Sequence, residues 1–383
     1  MATGYIRKRG NRSWQITYDA PRAEDGKRRQ RYETVRGTKR EAQARLNEIL
    51  NALNKGDYRE KTTLTVAQYL ELWLREYVRP NLRPRTAEGY ETIIRKHVLP
   101  ALGHIRLEDL SPRHIQSYYT ALIDRLSAQT IKHHRTLLHR AFEIAIMWEL
   151  LDRNPTQRVR TPKPEPSPAR TLSAEEVRQM LRAVQQTHYH VPIHLALYAG
   201  LRRAEILGLR WQDIDWEANT LNIQRTLMHV RGQGYIWGEP KSAGSRRTIA
   251  VPAATMLLLR AHRERMEAEQ VTRGITAMSE QVCAWPDGRL MKPDALSRAC
   301  RRIARQCEIQ GMRLHDLRHT HASLLLTEGT PMHIVQARLG HQSITTTVDI
   351  YGHVPQDADI AAGVAFARVV DADVGRMWAI EKG

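Results

Sequence analysis

Five prolines fall between Asn154 and Pro168 (Pro155, Pro162, Pro164, Pro166 and Pro168), and no single compact core can run through such a stretch. Each proline lacks a backbone N–H and restricts φ, so the segment reads as an extended, semi-rigid strap, made basic by Arg158, Arg160 and Lys163. At 383 residues the chain is too long for one ordinary core. The strap therefore separates folding units. No internal repeat is visible.

Charge narrows the partner. Lys and Arg number 59 against 41 for Asp and Glu, a net of +18. Such an excess favours a polyanion, because each neutralised phosphate releases a counterion, although it does not by itself distinguish DNA from RNA or an anionic membrane surface. No apolar run approaches the ~20 residues of a spanning helix. The basic start Met1–Arg12 has no apolar region behind it. Cys283, Cys300 and Cys307 are odd in number and unpaired in spacing, which suits small buried hydrophobes in a reducing compartment. The expectation is a cytoplasmic, nucleoid-associated protein with no membrane association.

Residues 1–60 carry 15 basic and 8 acidic side chains. Tyr5–Arg9, Trp14–Asp19 and Arg28–Thr34 read as short strands, with Gly10-Asn11 and Asp25-Gly26 supplying turn chemistry. A helix is predicted from about Thr38, with Glu41 completing a capping box, to Lys55 before Gly56. Arg7, Arg9, Arg12, Arg29 and Arg31 suit a sheet that enters a major groove; a solvated edge made basic against aggregation is the plainer alternative.

Residues 64–155 read as helical. Thr65 caps the run Val66, Tyr69, Leu70, Trp73. Arg85-Thr86 precedes a second run through Ile93, Ile94 and Val98 that Pro100 is expected to end. Ser111-Pro112 opens a third, and Ala128–Trp148 forms a fourth. Lys132 and Arg135 share the fourth helix with a core stripe of Ile131, Leu138 and Phe142. That basic face suits a clamp on a duplex, as do Arg158 and Arg160 in the linker 156–170.

The last segment, 171–383, opens with Ser173 as cap and Glu176 at the box position. Val191–Ala199 reads as an apolar helix ending at Gly200, and Leu201-Arg202-Arg203 begins another. Ile214-Asp215, Thr220–Val230 and Arg247–Val251 look like strands, with Lys241 near the turn Ser242–Ser245. Pro252–Gln270 and His315–Thr327 read as helices. A short helix after Thr330-Pro331 stops at Gly340, and Ser343 caps one containing Tyr351. The fold class is multidomain α+β: a small three-stranded sheet with a helix, a helical bundle, then a mainly α unit with a small antiparallel sheet.

Within this last segment lies an ordered set of chemistry-bearing residues. His315 and Arg318 are three apart and share a helix face. Two guanidiniums, Arg202 and Arg318, can grip the non-bridging oxygens of a phosphate and stabilise a pentavalent transition state. Lys241 can protonate a leaving 5′ oxygen. His315 and His341 can hydrogen-bond a non-bridging oxygen or manage a phenol proton. Tyr351 can serve as nucleophile; a phosphotyrosine ester conserves the bond energy, so no cofactor, ATP or metal is expected. Singly, each has a plainer reading: a helix-start arginine, a solvated turn lysine, satisfied helix-end histidines, a half-buried tyrosine. Their order is what argues against that. A metal site is not expected from the 17 histidines, which include no His-Glu-x-x-His.

The set resembles the tyrosine recombinases, specifically phage and mobile-element integrases. Ala199-Gly200-Leu201-Arg202-Arg203-Ala204-Glu205 is similar to their first arginine box and Pro240-Lys241-Ser242 through Arg247 to their lysine hairpin. His315-Asp316-Leu317-Arg318-His319 and Leu339-Gly340-His341 resemble the second box, and Thr347–Tyr351 the nucleophile segment. Ala199 and Ala204 depart from the usual Thr and Ser.

The resemblance implies an arm-type DNA-binding domain at 1–60, a SAM-like core-binding domain at 64–155 and a catalytic domain with a C-terminal tail at 171–383. It implies cleavage at double-stranded attachment sites, Holliday-junction resolution, and a homotetramer on DNA with each tail packed on a neighbour. A host bending protein and a directionality factor fit the same scheme. A monomeric type IB topoisomerase is the alternative enzyme, and a non-catalytic regulator using Thr330–Tyr351 as a helix-turn-helix is the alternative outside catalysis.

Overall fold

The computed structural model describes residues 3–20, 29–55, 62–165, 170–239, 246–275 and 279–340. The chain separates into two compact units, Met1–Glu165 and Pro166–Gly383.

The first unit opens with β1 (Gly4–Gly10), β2 (Ser13–Ala20) and β3 (Arg29–Arg36), an antiparallel sheet in the order β1-β2-β3. One face buries Ile16 and Tyr18 against Ala42, Leu46 and Ile49 of α1 (Lys39–Lys55). The expected capping box is present: the Glu41 carboxylate accepts the Thr38 N–H at 2.6 Å, and the Thr38 hydroxyl accepts the Glu41 N–H at 3.3 Å. Strand pairs put Tyr5, Thr17 and Tyr32 in one row of the open face and Arg7, Gln15 and Thr34 in the next.

The helical part begins at α2 (Val66–Trp73), which Thr65 caps as expected. It continues through a π turn at Leu74–Val78 into the short α3 (Arg79–Asn81). A second run has the same form: α4 (Pro84–Ile93), a π turn at Ile94–Val98, then α5 (Leu99–Leu102). Pro100 does not end this helix, contrary to the sequence reading. In both runs the proline, Pro80 or Pro100, follows a widened turn closed by the N–H of Arg79 to Leu74 or of Leu99 to Ile94. The wider turn relieves the clash of the ring with the carbonyl behind it, so the helix passes through. After α6 (Pro112–Thr120), capped by Ser111, the long α7 (Ala128–Met147) closes the core, its Phe142 joining Trp73, Tyr69 and Tyr119. Beyond α7, Asn154, Thr156 and Val159 are buried, and the backbone of Arg160 exchanges hydrogen bonds with the Gln116 amide.

The second unit is built around α9 (His190–Tyr198), which is buried from Val191 to Leu197 and therefore lacks an amphipathic stripe. Packed about it are α8 (Ala174–Val184), α10 (Arg203–Gly208), α11 (Ala253–Thr272) and α13 (Leu314–Thr327). Two more helices, α12 (Pro293–Gln306) and α14 (Met332–Leu339), complete its helical part. Ser173 and Glu176 form the expected capping box on α8.

The strand expected at Thr220–Val230 is two strands in two sheets. β5 (Thr220–Ile223) lies between β4 (Ile214–Asp215) and β8 (Arg247–Ala250), whereas β6 (Thr226–Val230) pairs with β7 (Gly234–Gly238). Arg225, at the break, turns inward to pair with the buried Asp213 at 2.6 Å, which ends the continuous ladder. The connection that carries Lys241 therefore leads from one sheet to another. Among the described residues, no helix is long and apolar enough to cross a membrane.

Candidate active site

The site lies where the α9–α10 turn, β8, α13 and the end of α14 meet. Gly200 makes the turn possible. Its φ is +62°, and a Cβ there would stand 2.6 Å from His321 Cδ2 and 2.9 Å from Leu339 Cδ2. Only a glycine gives both the left-handed backbone and the close approach of α13. Arg202 follows in extended conformation as the N-cap of α10, so its guanidinium springs from a fixed point.

Three successive carbonyls at the end of α14 are each held by an arginine. Arg247 Nε donates to the Arg338 carbonyl at 2.6 Å, Arg318 Nη2 to that of Leu339, and Arg202 Nη2 to that of Gly340 at 3.0 Å. Gly340, with φ +64°, provides the left-handed C-cap. A helix C-terminus leaves its last carbonyls unpaired at the negative end of the macrodipole, which is why it attracts guanidiniums. Arg318 is buried and also donates to the Gly200 carbonyl, tying the turn to α14.

Glu205, buried on α10, organises two of these arginines. Oε1 accepts Arg202 Nη1 at 2.7 Å and Arg247 Nη1 at 3.3 Å, while Oε2 accepts Arg247 Nη2 at 3.0 Å and the Arg202 N–H at 3.0 Å. Burial pushes the Glu205 carboxyl upward, but the Arg247 hydrogen bond and charge, with the Arg202 charge, outweigh it and leave the group below its ordinary value.

Desolvation lowers the pKa of His315, His319 and His321. His315 keeps an exposed edge, yet its pKa is pushed down to about 4, first by desolvation and then by His319, Arg318 and Arg202. Its ring meets that of His319 edge-on at 4.7 Å between centroids. His321 is buried; it lies 2.7 Å from the Leu197 carbonyl through Nδ1, and Nε2 accepts from Arg338 Nε at 3.0 Å. That arrangement assigns the proton to Nδ1. Arg338 also donates to Ala250 and Tyr198, linking β8 and α9.

Of the six candidate catalytic residues, Arg202, His315 and Arg318 come together here. Lys241, His341 and Tyr351 lie outside the described residues. Among the candidate DNA-contacting residues, Arg7 lies on the open face of the first sheet; Arg9, beside it, reaches the Gln15 amide at 2.7 Å, and Arg12 sits at the β1–β2 turn. Arg29 and Arg31, opposite Ala20 and Tyr18, belong to the helix-facing side. Lys132 and Arg135 are exposed on α7, as are Arg158 and Arg160 beyond it.

Sequence reading passed over α12. Arg298, Arg301, Arg302 and Arg305 line one side of it, facing a trough of about 930 Å³ that continues past Arg313. A second hollow of about 640 Å³ shares Arg298, Arg301 and Arg313 and reaches His315. The i, i+3, i+4, i+7 spacing of these arginines was the available signal.

Two family models match the chain: "Phage integrase family" over residues 170–357 and "Phage integrase, N-terminal SAM-like domain" over 65–123. A "Tyrosine recombinase XerC-like" protein of Caldanaerobacter subterraneus subsp. tengcongensis is 29% identical over 372 residues, covering 92% of this chain and 95% of that protein. Among solved structures, the Tn1549 transposon integrase in complex with a circular intermediate DNA superposes with TM-score 0.67 at 21% identity, over 79% of this chain and 100% of that one. A lambda integrase tetramer bound to a Holliday junction gives 0.54 at 19% identity, over 92% and 96%. The protein is a DNA strand-breaking and rejoining enzyme of the tyrosine recombinase class. Within that class it belongs to the phage integrase family, whose integrases come from phages and mobile elements.

Proposed function

We propose that this integrase recombines specific double-stranded attachment sites, with Tyr351 as nucleophile and Arg202, Arg318, Lys241, His315 and His341 around the scissile phosphate. The observation that carries the reading is the convergence of Arg202 and Arg318, from two distant boxes, on the end of α14 at Gly340, the residue before His341.

The Tyr351 phenol passes its proton to His315 or His341 as its oxygen attacks phosphorus, and the bond to the 5′ oxygen breaks. Lys241 donates the proton that the leaving oxygen needs. Arg202 and Arg318 hold the non-bridging oxygens as charge builds, and the two histidines supply hydrogen bonds. A 3′-phosphotyrosyl ester results, and attack by a 5′-hydroxyl of the partner strand restores the diester. Bond energy is conserved, so the steps consume neither ATP nor metal.

In this scheme residues 1–60 form an arm-binding domain, 64–155 a core-binding domain, 156–170 the linker and 171–383 the catalytic domain. Arg7, Arg9, Arg12, Arg29, Arg31, Lys132, Arg135, Arg158 and Arg160 neutralise phosphates. The trough along α12 offers a further basic track leading to His315. The lambda integrase tetramer on a Holliday junction supports an assembly of four protomers. In that assembly each tail would pack on a neighbour. A host bending protein and a directionality factor would act beside it, in the nucleoid of the cytoplasm.

The test is a duplex attachment site carrying a bridging phosphorothiolate, incubated with protein and run on a denaturing gel. A covalent complex is expected with wild type and none with Tyr351→Phe. Equal yield from the Phe variant would overturn the nucleophile. A complex that relaxes plasmids without exchanging strands would make the protein a topoisomerase.

A further inference from the structure

We infer that Arg247 is a positioning residue for phosphate capture, acting through Glu205 on Arg202 and through the Arg338 carbonyl on the last turn of α14. The inference rests on the reading that Arg202 grips the scissile phosphate.

Three observations support it. The Arg247 side chain is only 7% exposed, so it is spent inside the protein rather than on DNA. All three kinds of guanidinium nitrogen are engaged: both Nη atoms on Glu205 and Nε on the Arg338 carbonyl. Glu205 in turn holds Arg202 by side chain and by backbone.

The charge balance gives the role. Arg202, Arg247 and Glu205 together carry one net positive charge. Without Arg247 the carboxylate cancels Arg202, and only the Gly340 carbonyl then competes with Glu205 for that guanidinium. The field that draws a phosphate would weaken, with Arg318 left to supply it. Arg247 therefore shares out the carboxylate and leaves Arg202 with donors to spare. The same side chain fixes the helix end that receives Arg202 at Gly340, immediately before His341.

The test is single-turnover cleavage by the full-length protein with Arg247→Met, which keeps the buried stem, and Arg247→Lys, which keeps charge without the fork. Two substrates are compared: the ordinary attachment-site duplex and one whose scissile phosphate is a neutral methylphosphonate. On the ordinary duplex, Arg247→Met is expected to slow cleavage by about 10²-fold or more while DNA affinity changes less than about threefold. Arg247→Lys should recover at least about tenfold of that loss. On the methylphosphonate the Met defect should shrink to below about tenfold, because the weakened field no longer matters. If the Met variant loses affinity and cleavage in parallel and equally on both substrates, Arg247 is only structural and the inference fails. Arg202→Ala is run beside it. Should its defect also persist undiminished on the methylphosphonate, the phosphate-gripping role of Arg202 falls; should it shrink while that of Arg247 does not, only the present inference falls.

Discussion

Arg338 donates from Nε to Nε2 of the buried His321 at 3.0 Å, and this contact is possible only while the imidazole is neutral. Protonation would set a second positive charge against the guanidinium. Burial first, and then Arg338, push the His321 pKa down to about 4 from an ordinary 6.5, although the Leu197 carbonyl opposes the shift.

Stability should therefore depend on acidity. Between the two values the unfolded chain binds more protons at His321 than the folded one. Its contribution is complete above pH about 6.5 and is lost as pH falls toward about 4. Thermal unfolding is expected to shift to lower temperature from pH 7 to pH 5. His321→Gln should be less stable at pH 7 but show a flatter pH dependence; an equally steep one would assign the effect to other histidines, such as His194.

Gly200→Ala tests the turn before Arg202. The left-handed backbone costs an alanine roughly 1–2 kcal/mol before any clash. With His321 and Leu339 in the way, the total destabilisation should reach about 3 kcal/mol in denaturant titrations. A loss below about 1 kcal/mol would mean that α13 yields easily.

Ser173→Ala removes the oxygen that accepts the Glu176 N–H at 3.2 Å at the start of α8. The expected cost is about 1 kcal/mol of unfolding free energy, with strand cleavage at saturating DNA unchanged. Urea melts and the covalent-complex assay check the two halves separately.

The arginines of α12 should act on DNA without reading sequence. Arg301→Gln or Arg302→Gln is expected to reduce the slope of log affinity against log salt by about 0.9 for each phosphate that the variant no longer neutralises. Specific and non-specific duplexes should weaken alike. A selective weakening on one sequence would assign the side chain to a base edge instead.

Local chemistry made much of the fold legible. Thr38-Glu41, Thr65, Ser111 and Ser173-Glu176 mark helix starts within four residues of chain, and each cap forms. Pro100 misled because its effect depends on the turn behind it, which a π turn changes. The break between β5 and β6 was illegible for a similar reason: a continuous run of strand formers ends where Arg225 finds the buried carboxylate of Asp213, 12 positions earlier. In the site, Arg202, His315 and Arg318 stood out by their order, whereas Arg338 and the arginines of α12 did not. No local motif announces a side chain whose partners lie on other elements.

The sequence by itself determined the helix starts, the basic character and the ordered boxes that name the candidate chemistry. These depend on residue types a few positions apart, where capping, turn preference and spacing operate. Only the tertiary structure decided which donors meet which acceptors. Arg247 finds Glu205 from 42 positions away and Arg202 finds Gly340 from 138. Those meetings follow from packing α10 and α13 on the buried α9 and α14 against α13 and β8, a three-dimensional constraint with no short-range signature in the chain.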